Sequence, residues 1–391
     1  MFLWKPRRGV EVGTPQGGVE VVKLPTASGL PAVLRALPRA RLVGGCVRDS
    51  LAGVAVADID LATPDRPDEI MAALDRAGLR AIPTGLAHGT VTALSDGQGF
   101  EITTLRRDVE TDGRHAVVAF TDDWQADAAR RDFTINAMSL TPDGGLHDYF
   151  GGEADLVAGL VRFVGEAATR IAEDTLRILR FFRFYARYGR GAPDAAAIAA
   201  IATGLPGLAT LSPERVWSEL RRILLAPAPD RAFNAMAATG TLAAVLPQAV
   251  LRPLDDLPAE PMLRLAALVP SGAVDLRLSG EEADRLAALQ GTPPPEFADD
   301  ATLRRLLADT APDILIGRAW IAGTPPGLRA RIAAIERPVF PVHGRDLAEA
   351  GMAPGPAMGD ALRRLRAAWL GSGCVAGRDA LLALLAERPA P

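Results

Sequence analysis

Two aspartates stand one residue apart in "VADIDLAT" (56–63), at Asp58 and Asp60. In a strand, residues i and i+2 share a face with Cα atoms about 6.5–7 Å apart. The two carboxylates would then aim the same way, while Ile59 and Leu61 turn to the core. Two hard carboxylates on one face suit Mg²⁺, which takes few protein oxygens and completes its shell with water and substrate phosphates. Such a pair can hold two ions about 3.5–4 Å apart for an in-line displacement at phosphorus. Just upstream, "GGCVRD" (44–49) offers backbone N–H groups that no side chain obstructs, and Arg48 can pair with phosphate charge. Alone, an Asp-x-Asp is equally a solvated strand face, and a double glycine is equally a plain turn. In this order they point to phosphate chemistry.

The surrounding pattern predicts what positions them. "RLVGG", "DIDLAT", "GTVTAL" and "GFEITTL" read as short strands, with "PDEIMAALDRAG" as a helix capped by Asp65 and closed by Gly78. After about residue 165 the alternation vanishes. Alanine, leucine and arginine dominate there, and proline clusters at 226–230, 291–296, 323–327 and 337–341 separate helices of ordinary length. The expected fold class is α+β, a small sheet with helices followed by an all-helical remainder. The chain divides into a loose extension (1–24), a head (25–163), a neck (164–230), a body (231–320) and a tail (321–391).

Bulk properties narrow the class. At 391 residues the chain exceeds one typical domain, and 49% hydrophobic with 23% charged residues excludes disorder. A net charge of −4 argues against a uniformly basic nucleic-acid coat but leaves room for a local basic groove. Two cysteines, Cys46 and Cys374, supply neither a disulfide framework nor a zinc cluster and suit a reducing compartment. The apolar start of "MFLWKPRRGV" is too short for a signal-peptide core, and no run approaches the roughly 20 apolar residues that span a bilayer. A soluble cytoplasmic protein without a membrane partner is expected.

In "GGCVRD" followed by "DIDLAT" the chain resembles the class II nucleotidyltransferases, the family of CCA-adding tRNA nucleotidyltransferases and bacterial poly(A) polymerases within the DNA polymerase β superfamily. The resemblance continues in order through "HGTVTAL" (88–94), "FEITTLRRD" (100–108), "RRDFTINAMSL" (130–140) and "HDYFGGEADL" (147–156). It runs on through "EDTLRILRFFRF" (173–184), "LSPERVWSELRRIL" (211–224) and "VHGRDLAEAGMAPGPAMG" (342–359). It implies a polymerase-β-like nucleotidyltransferase head, with Asp58 and Asp60 as Mg²⁺ ligands. It also implies that Gly45, Arg48 and Arg131 meet the triphosphate and that Glu101 is a third carboxylate beside the metals. Asp174, Arg177, Arg180 and Arg183 fall in its nucleotide-selecting helix. The implied substrates are tRNA, CTP and ATP, and no protein partner is implied.

Asp174 and Arg177 stand at i and i+3, neighbours on a helix surface. An ionised Asp only accepts hydrogen bonds and Arg only donates them. Cytosine and adenine each present an amino donor beside a ring-nitrogen acceptor, so one Asp–Arg pair complements both. Uracil and guanine would set like groups against each other, at about 1–3 kcal/mol per unsatisfied group. The same pair in isolation is an ordinary helical salt bridge. Steps of three drift by about 60° on a helix, which would turn Arg183 away from Asp174.

Three rivals stay in view. Poly(A) polymerases of the family carry a basic segment after the metal aspartates, where this chain has the acidic "TPDRPDEIMAAL". Partial enzymes that add only CC or only A are the second rival, and those that add only CC lack a loop that "RRDVETDGRHAVVAFTDD" (106–123), with Asp112-Gly113-Arg114-His115, resembles. A tRNA-binding protein with a decayed head is the non-enzymatic rival, and retention of Asp58, Asp60, Asp174 and Arg177 speaks against it. "ELRRIL" (219–224) and "ALRRLRAAW" (361–369) are candidate RNA contacts and equally normal amphipathic surfaces.

Overall fold

A computed structural model describes residues 24–111, 116–272 and 274–386. Asp112-Gly113-Arg114-His115, at the tip of the expected loop, lies outside the described residues. The chain forms two compact units that meet in sequence at Leu208 and Ala209.

Among the described residues the first unit carries nine strands: β1 (Arg41–Val43), β2 (Asp60–Thr63), β3 (Arg80–Gly85), β4 (Thr90–Ser95), β5 (Gln98–Thr104), β6 (Arg106–Thr111), β7 (Ala116–Phe120), β8 (Ser139–Leu140) and β9 (Leu146–His147). Seven of them make one sheet in the order β3-β4-β5-β2-β1-β8-β9, and β6 and β7 pair as a separate hairpin. Among the described residues of the larger sheet, β2 and β5 pair parallel and the other neighbours pair antiparallel. The flanks of the expected loop are therefore hairpin strands, with Arg106 opposite Phe120.

Register separates the two faces. Leu42 pairs with Leu61 and Leu140, and Ile102 pairs with Leu61 and Val91. All five are buried, forming an apolar row across the sheet. Helices Leu30–Ala36 and Pro67–Arg76 pack near β4, contributing Val33, Ile70 and Leu74 to the core. Fully burying side chains of this kind stabilises by about 1.5–3 kcal/mol each. The neighbouring row, one residue along each strand, must face the other way.

Two local expectations are corrected. The helix after β2 takes Arg66, not Asp65, as its N-cap, with the Glu69 carboxylate accepting from the Arg66 N–H at 2.8 Å. Asp65 instead accepts from the Thr63 hydroxyl and pairs with Arg39. Strand β3 carries Pro83 and escaped the sequence reading. It lies at the sheet edge, where a missing N–H is tolerated.

Helix Arg177–Tyr188 belongs to the first unit and anchors through aromatic rings. Phe133 and Phe163 lie 4.7 Å apart, Phe184 meets Phe133 edge-on at 5.2 Å, and Phe181 stacks on Phe163 at 6.0 Å. Such pairs contribute about 0.5–1.5 kcal/mol each beyond area burial.

Among the described residues the second unit is helical throughout. Its prolines do more than separate helices. Pro213, Pro229, Pro261, Pro312, Pro326 and Pro356 each open one, where a missing N–H costs nothing. The buried Arg264 guanidinium donates to the carbonyls of Leu224, Ala226 and Leu257, covering the end of helix Pro213–Leu224. No helix among the described residues is long and apolar enough to cross a membrane.

Candidate active site

β1 ends at Val43 and the chain turns at Gly44, whose φ of 72° and ψ of −127° disfavour any side chain. A Cβ at Gly44 would also meet Arg131 Nη1 at 3.1 Å. Glycine here lets a guanidinium lie against the turn. Gly45 then opens helix Gly45–Leu51. Beneath the turn, the buried Cys46 thiol donates to the Val43 carbonyl at 3.2 Å, and burial pushes it up to about 11, so it stays protonated.

β2 begins at Asp60, and Asp58 and Ile59 precede it. Leu61 faces the core as expected, but Ile59 is only half-buried. Asp60 pairs in register with Glu101, and Glu101 with Thr92 on the next strand. The sheet thus sets a second carboxylate beside Asp60 on the face opposite the apolar row. Partial burial, then repulsion from Glu101 and Asp58, push the Asp60 carboxyl above its ordinary value, while Arg131 opposes them. Glu101, Asp58 and Arg131 therefore all act on Asp60.

That cluster fits Mg²⁺ by its chemistry, since it is oxygen-only, exposed at Asp58 and Asp60, and short of positive charge. Among the described residues no three histidine, cysteine or acidic side chains are grouped so that they could hold a metal ion by themselves. Mg²⁺ does not require one when substrate phosphates complete its shell.

Arginines line the other side. Arg131 Nη2 bonds Asp127 Oδ2 at 3.1 Å, and Arg130 Nε donates to Asp127 Oδ1 at 2.9 Å. Burial pushes the Asp127 carboxyl up, but Arg131 and Arg130 outweigh it and hold it below the ordinary range. Asp132, only 7% exposed, accepts from Arg180 Nε at 2.7 Å and from Asn136 Nδ2 at 2.9 Å. Its carboxyl is likewise held low, with Arg180 overcoming burial.

Arg48, expected at the triphosphate, turns inward and is 8% exposed. Its Nε donates to Asp49 Oδ1 at 3.0 Å and its Nη1 to Asn136 Oδ1 at 2.5 Å. Its guanidinium carbon lies 4.9 Å from the Phe184 ring centroid and 4.6 Å from that of Tyr188. The Tyr188 hydroxyl donates to Asp49 in turn. Arg180 and Arg183 stand over the same Phe184 ring at 5.6 and 4.4 Å. Arg183 thus shares the Phe184 ring with Arg48 and Arg180.

The helical Asp174–Arg177 neighbourhood is corrected. Asp174 has φ −154° and ψ 106°, an extended residue after helix Ala167–Glu173, and Arg177 begins the next helix. Asp174 Oδ1 accepts from the Leu176 N–H at 3.1 Å. Arg177 pairs with Glu173 and donates to the Arg170 carbonyl at 2.9 Å. Sequence reading also missed Asp49, Asp127, Asp132, Asn136, Phe184 and Tyr188. For Asp132 and Asn136 the signal available was a set of polar residues inside the apolar "RDFTINAM".

Residues 40–162 match the family model described as the poly A polymerase head domain. Residues 193–251 match one described as a probable RNA and SrmB-binding site of polymerase A. The mitochondrial CCA tRNA nucleotidyltransferase 1 of Mus musculus is 37% identical over 374 residues, covering 88% of this chain and 86% of that protein. The CCA-adding enzyme of Geobacillus stearothermophilus is 31% identical over 387 residues, covering 89% and 93%. The crystal structure of the Bacillus stearothermophilus CCA-adding enzyme in complex with CTP superposes with a TM-score of 0.75 at 28% identity, over 92% of this chain and 96% of that one. The Thermotoga maritima CCA-adding enzyme complexed with tRNA shares the fold, with a TM-score of 0.64 at 20% identity over 89% and 90%. With most of its length aligned to these enzymes, the chain belongs to the family of CCA-adding tRNA nucleotidyltransferases.

Proposed function

We propose that this protein adds C, C and A to the 3′ end of tRNA without a nucleic-acid template. It takes the nucleotides from CTP and ATP and releases diphosphate. The observation that carries the reading is the register that sets Asp60 beside Glu101, with Asp58 and Arg131 acting on the same carboxylate. Asp58 and Asp60 would hold Mg²⁺, with Glu101 alongside. When bound, the metal supplies charge for the reacting phosphate and acidifies the attacking 3′-hydroxyl. Arg131 and Gly45 lie at the glycine turn, where the triphosphate would be bound and oriented. Asp174 and Arg177 read the base edge, and use of Arg177 exchanges its Glu173 partner for the base. Arg180 and Arg183 complete the nucleotide side around Phe184.

Residues 25–163 form the head in this reading, 164–230 the neck, 231–320 the body and 321–391 the tail. Arg221 and Arg222 are more than half exposed and can meet RNA phosphates. The free thiols Cys46 and Cys374 suit the reducing cytoplasm proposed as its compartment.

The test uses a tRNA transcript ending before CCA. CTP alone should extend it by two residues, and CTP with ATP by three. A homopolymer made from ATP alone would transfer the reading to a poly(A) polymerase. No extension under any condition would overturn enzymatic function.

A further inference from the structure

We infer that Thr92, with Thr84 beside it, seats the sugar and phosphate of the 3′-terminal residue of tRNA and so aims its 3′-hydroxyl at the bound nucleotide. The inference rests on the proposed nucleotidyl transfer and deepens it.

The register fixes the side from which that hydroxyl arrives. β1 runs into the glycine turn, where the triphosphate would lie, and β2 comes next in the sheet with Asp60. Asp60 pairs with Glu101 on β5, and Glu101 pairs with Thr92 on β4. Residues paired across a sheet share a face, and each strand adds about 4.8 Å. Thr92 therefore stands one strand beyond Glu101, on the side away from the glycine turn. In an in-line displacement the attacking oxygen and the leaving diphosphate lie on opposite sides of the phosphorus. With the diphosphate leaving toward the glycine turn, the 3′-hydroxyl must enter over Glu101 from the Thr92 side.

That side is open and offers hydroxyls. Gly99, two residues before Glu101 on the same face, sets no side chain there, and a Cβ would stand 3.4 Å from Thr92 Cγ2. The register of β3 shifts between Ile82, opposite Thr92, and Gly85, opposite Thr90. In regular pairing Thr84 would stand opposite Thr90. The bulge gives that place to Gly85 and leaves Thr84 Oγ1 at 2.9 Å from Thr92 Oγ1. Thr92 is half-buried and Thr84 exposed. Each hydroxyl has one donor and two acceptor lone pairs, so the bonded pair still has a proton and several lone pairs to offer. These suit a phosphate oxygen or a ribose 2′-hydroxyl, which both donates and accepts. Sugar and phosphate contacts carry no sequence information. The reaction requires that indifference, because the terminal residue changes with every addition. It also requires release after each one, and neutral hydroxyls hold less tightly than charged donors.

The test follows addition of the first C to a tRNA transcript ending before CCA, with tRNA limiting. Wild type is compared with Thr92→Val, Thr92→Ser and Thr84→Val on the full chain. CTP affinity without tRNA is titrated for each. Valine keeps the branched shape that suits a strand and removes only the hydroxyl. Thr92→Val should lower kcat/KM for tRNA by about 5- to 10-fold, the size of one lost hydrogen bond, and leave CTP affinity unchanged. Thr92→Ser should stay within about 2-fold of wild type, because the hydroxyl is what acts. Thr84→Val should lose less than Thr92→Val, since the Thr92 hydroxyl survives in it. Were the pair only a tie between β3 and β4, either valine would break it and the two losses would match. Should Thr92→Val not fold, Thr92→Ala against Thr92→Ser makes the same comparison. Equal losses for the two valine variants, no loss for Thr92→Val, or a matching loss of CTP affinity overturns the inference. If wild type extends tRNA, such a failure touches the threonines alone. If wild type adds nothing, the reading of the site fails and takes the inference with it.

Discussion

The carboxylate edge and the arginine wall of the first unit handle charge in opposite ways. On the edge, burial and the charges of Glu101 and Asp58 press on Asp60, and Arg131 offsets them only in part. On the wall the arginines are set against acids: Arg48 has Asp49, Arg131 and Arg130 share Asp127, and Arg180 has Asp132. The wall is cross-linked by ion pairs before any substrate arrives and can be rigid. The edge carries an electrostatic deficit that a cation and its phosphates would relieve. A site that must bind tightly charged ligands repeatedly, yet keep its geometry, benefits from dividing the labour this way.

The largest effect should come from removing the edge. Asp58→Ala or Asp60→Ala should reduce CTP incorporation by at least about 10³-fold, since two-metal chemistry needs both oxygens. Circular dichroism and tRNA binding should be nearly unchanged. Near wild-type turnover in Mg²⁺ would remove these residues from the mechanism.

Breaking the wall should register in stability. Asp132→Ala removes the acceptor of Arg180 Nε and leaves the buried Asn136 Nδ2 donor unsatisfied, a loss of about 1–3 kcal/mol. The Asp132 carboxyl is held below its ordinary value, so its contribution is full above the ordinary carboxylate range and is lost as pH falls through the depressed one. Urea midpoints of variant and wild type should therefore differ at neutral pH and converge in acid. A gap independent of pH would assign the loss to packing alone.

The smallest effect sharpens the contrast. The Asp60 carboxyl is pushed up, so its ionisation works against folding once pH rises above the ordinary carboxylate range. Asp60→Asn should slightly raise the Tm at neutral pH without divalent cation, and the gain should vanish in acid. Added Mg²⁺ should raise the Tm of wild type but not of this variant. A lower Tm for Asp60→Asn at neutral pH would contradict the deficit.

The edge was legible in the sequence and the wall was not. Asp58, Asp60 and Glu101 stand out because strand alternation makes an acid beside Leu61 or Ile102 conspicuous. The wall is assembled by non-local contacts. Arg48 and Asn136 are 88 residues apart in sequence, and Asp49 and Tyr188 are 139 apart. Periodicity carries no trace of such pairs. Asp174 was misplaced because "EDTLRILRFFRF" keeps a helical pattern through the break, while the backbone turns extended at Asp174 and restarts at Arg177. β3 was hidden by Pro83, and the α+β division was visible because alternation stops where the sheet ends.

The prolines that open the helices of the second unit act on a state no picture of the folded protein shows. Each fixes φ near −65° in the unfolded chain as well, at a position whose native backbone already requires it. A compatible proline of this kind is worth about 0.4–1 kcal/mol through lost freedom of the unfolded chain, with no new contact in the native one. Pro213, Pro229, Pro261, Pro312, Pro326 and Pro356 each start a helix in this way. Part of the second unit's stability is therefore written as disorder that the chain never possesses.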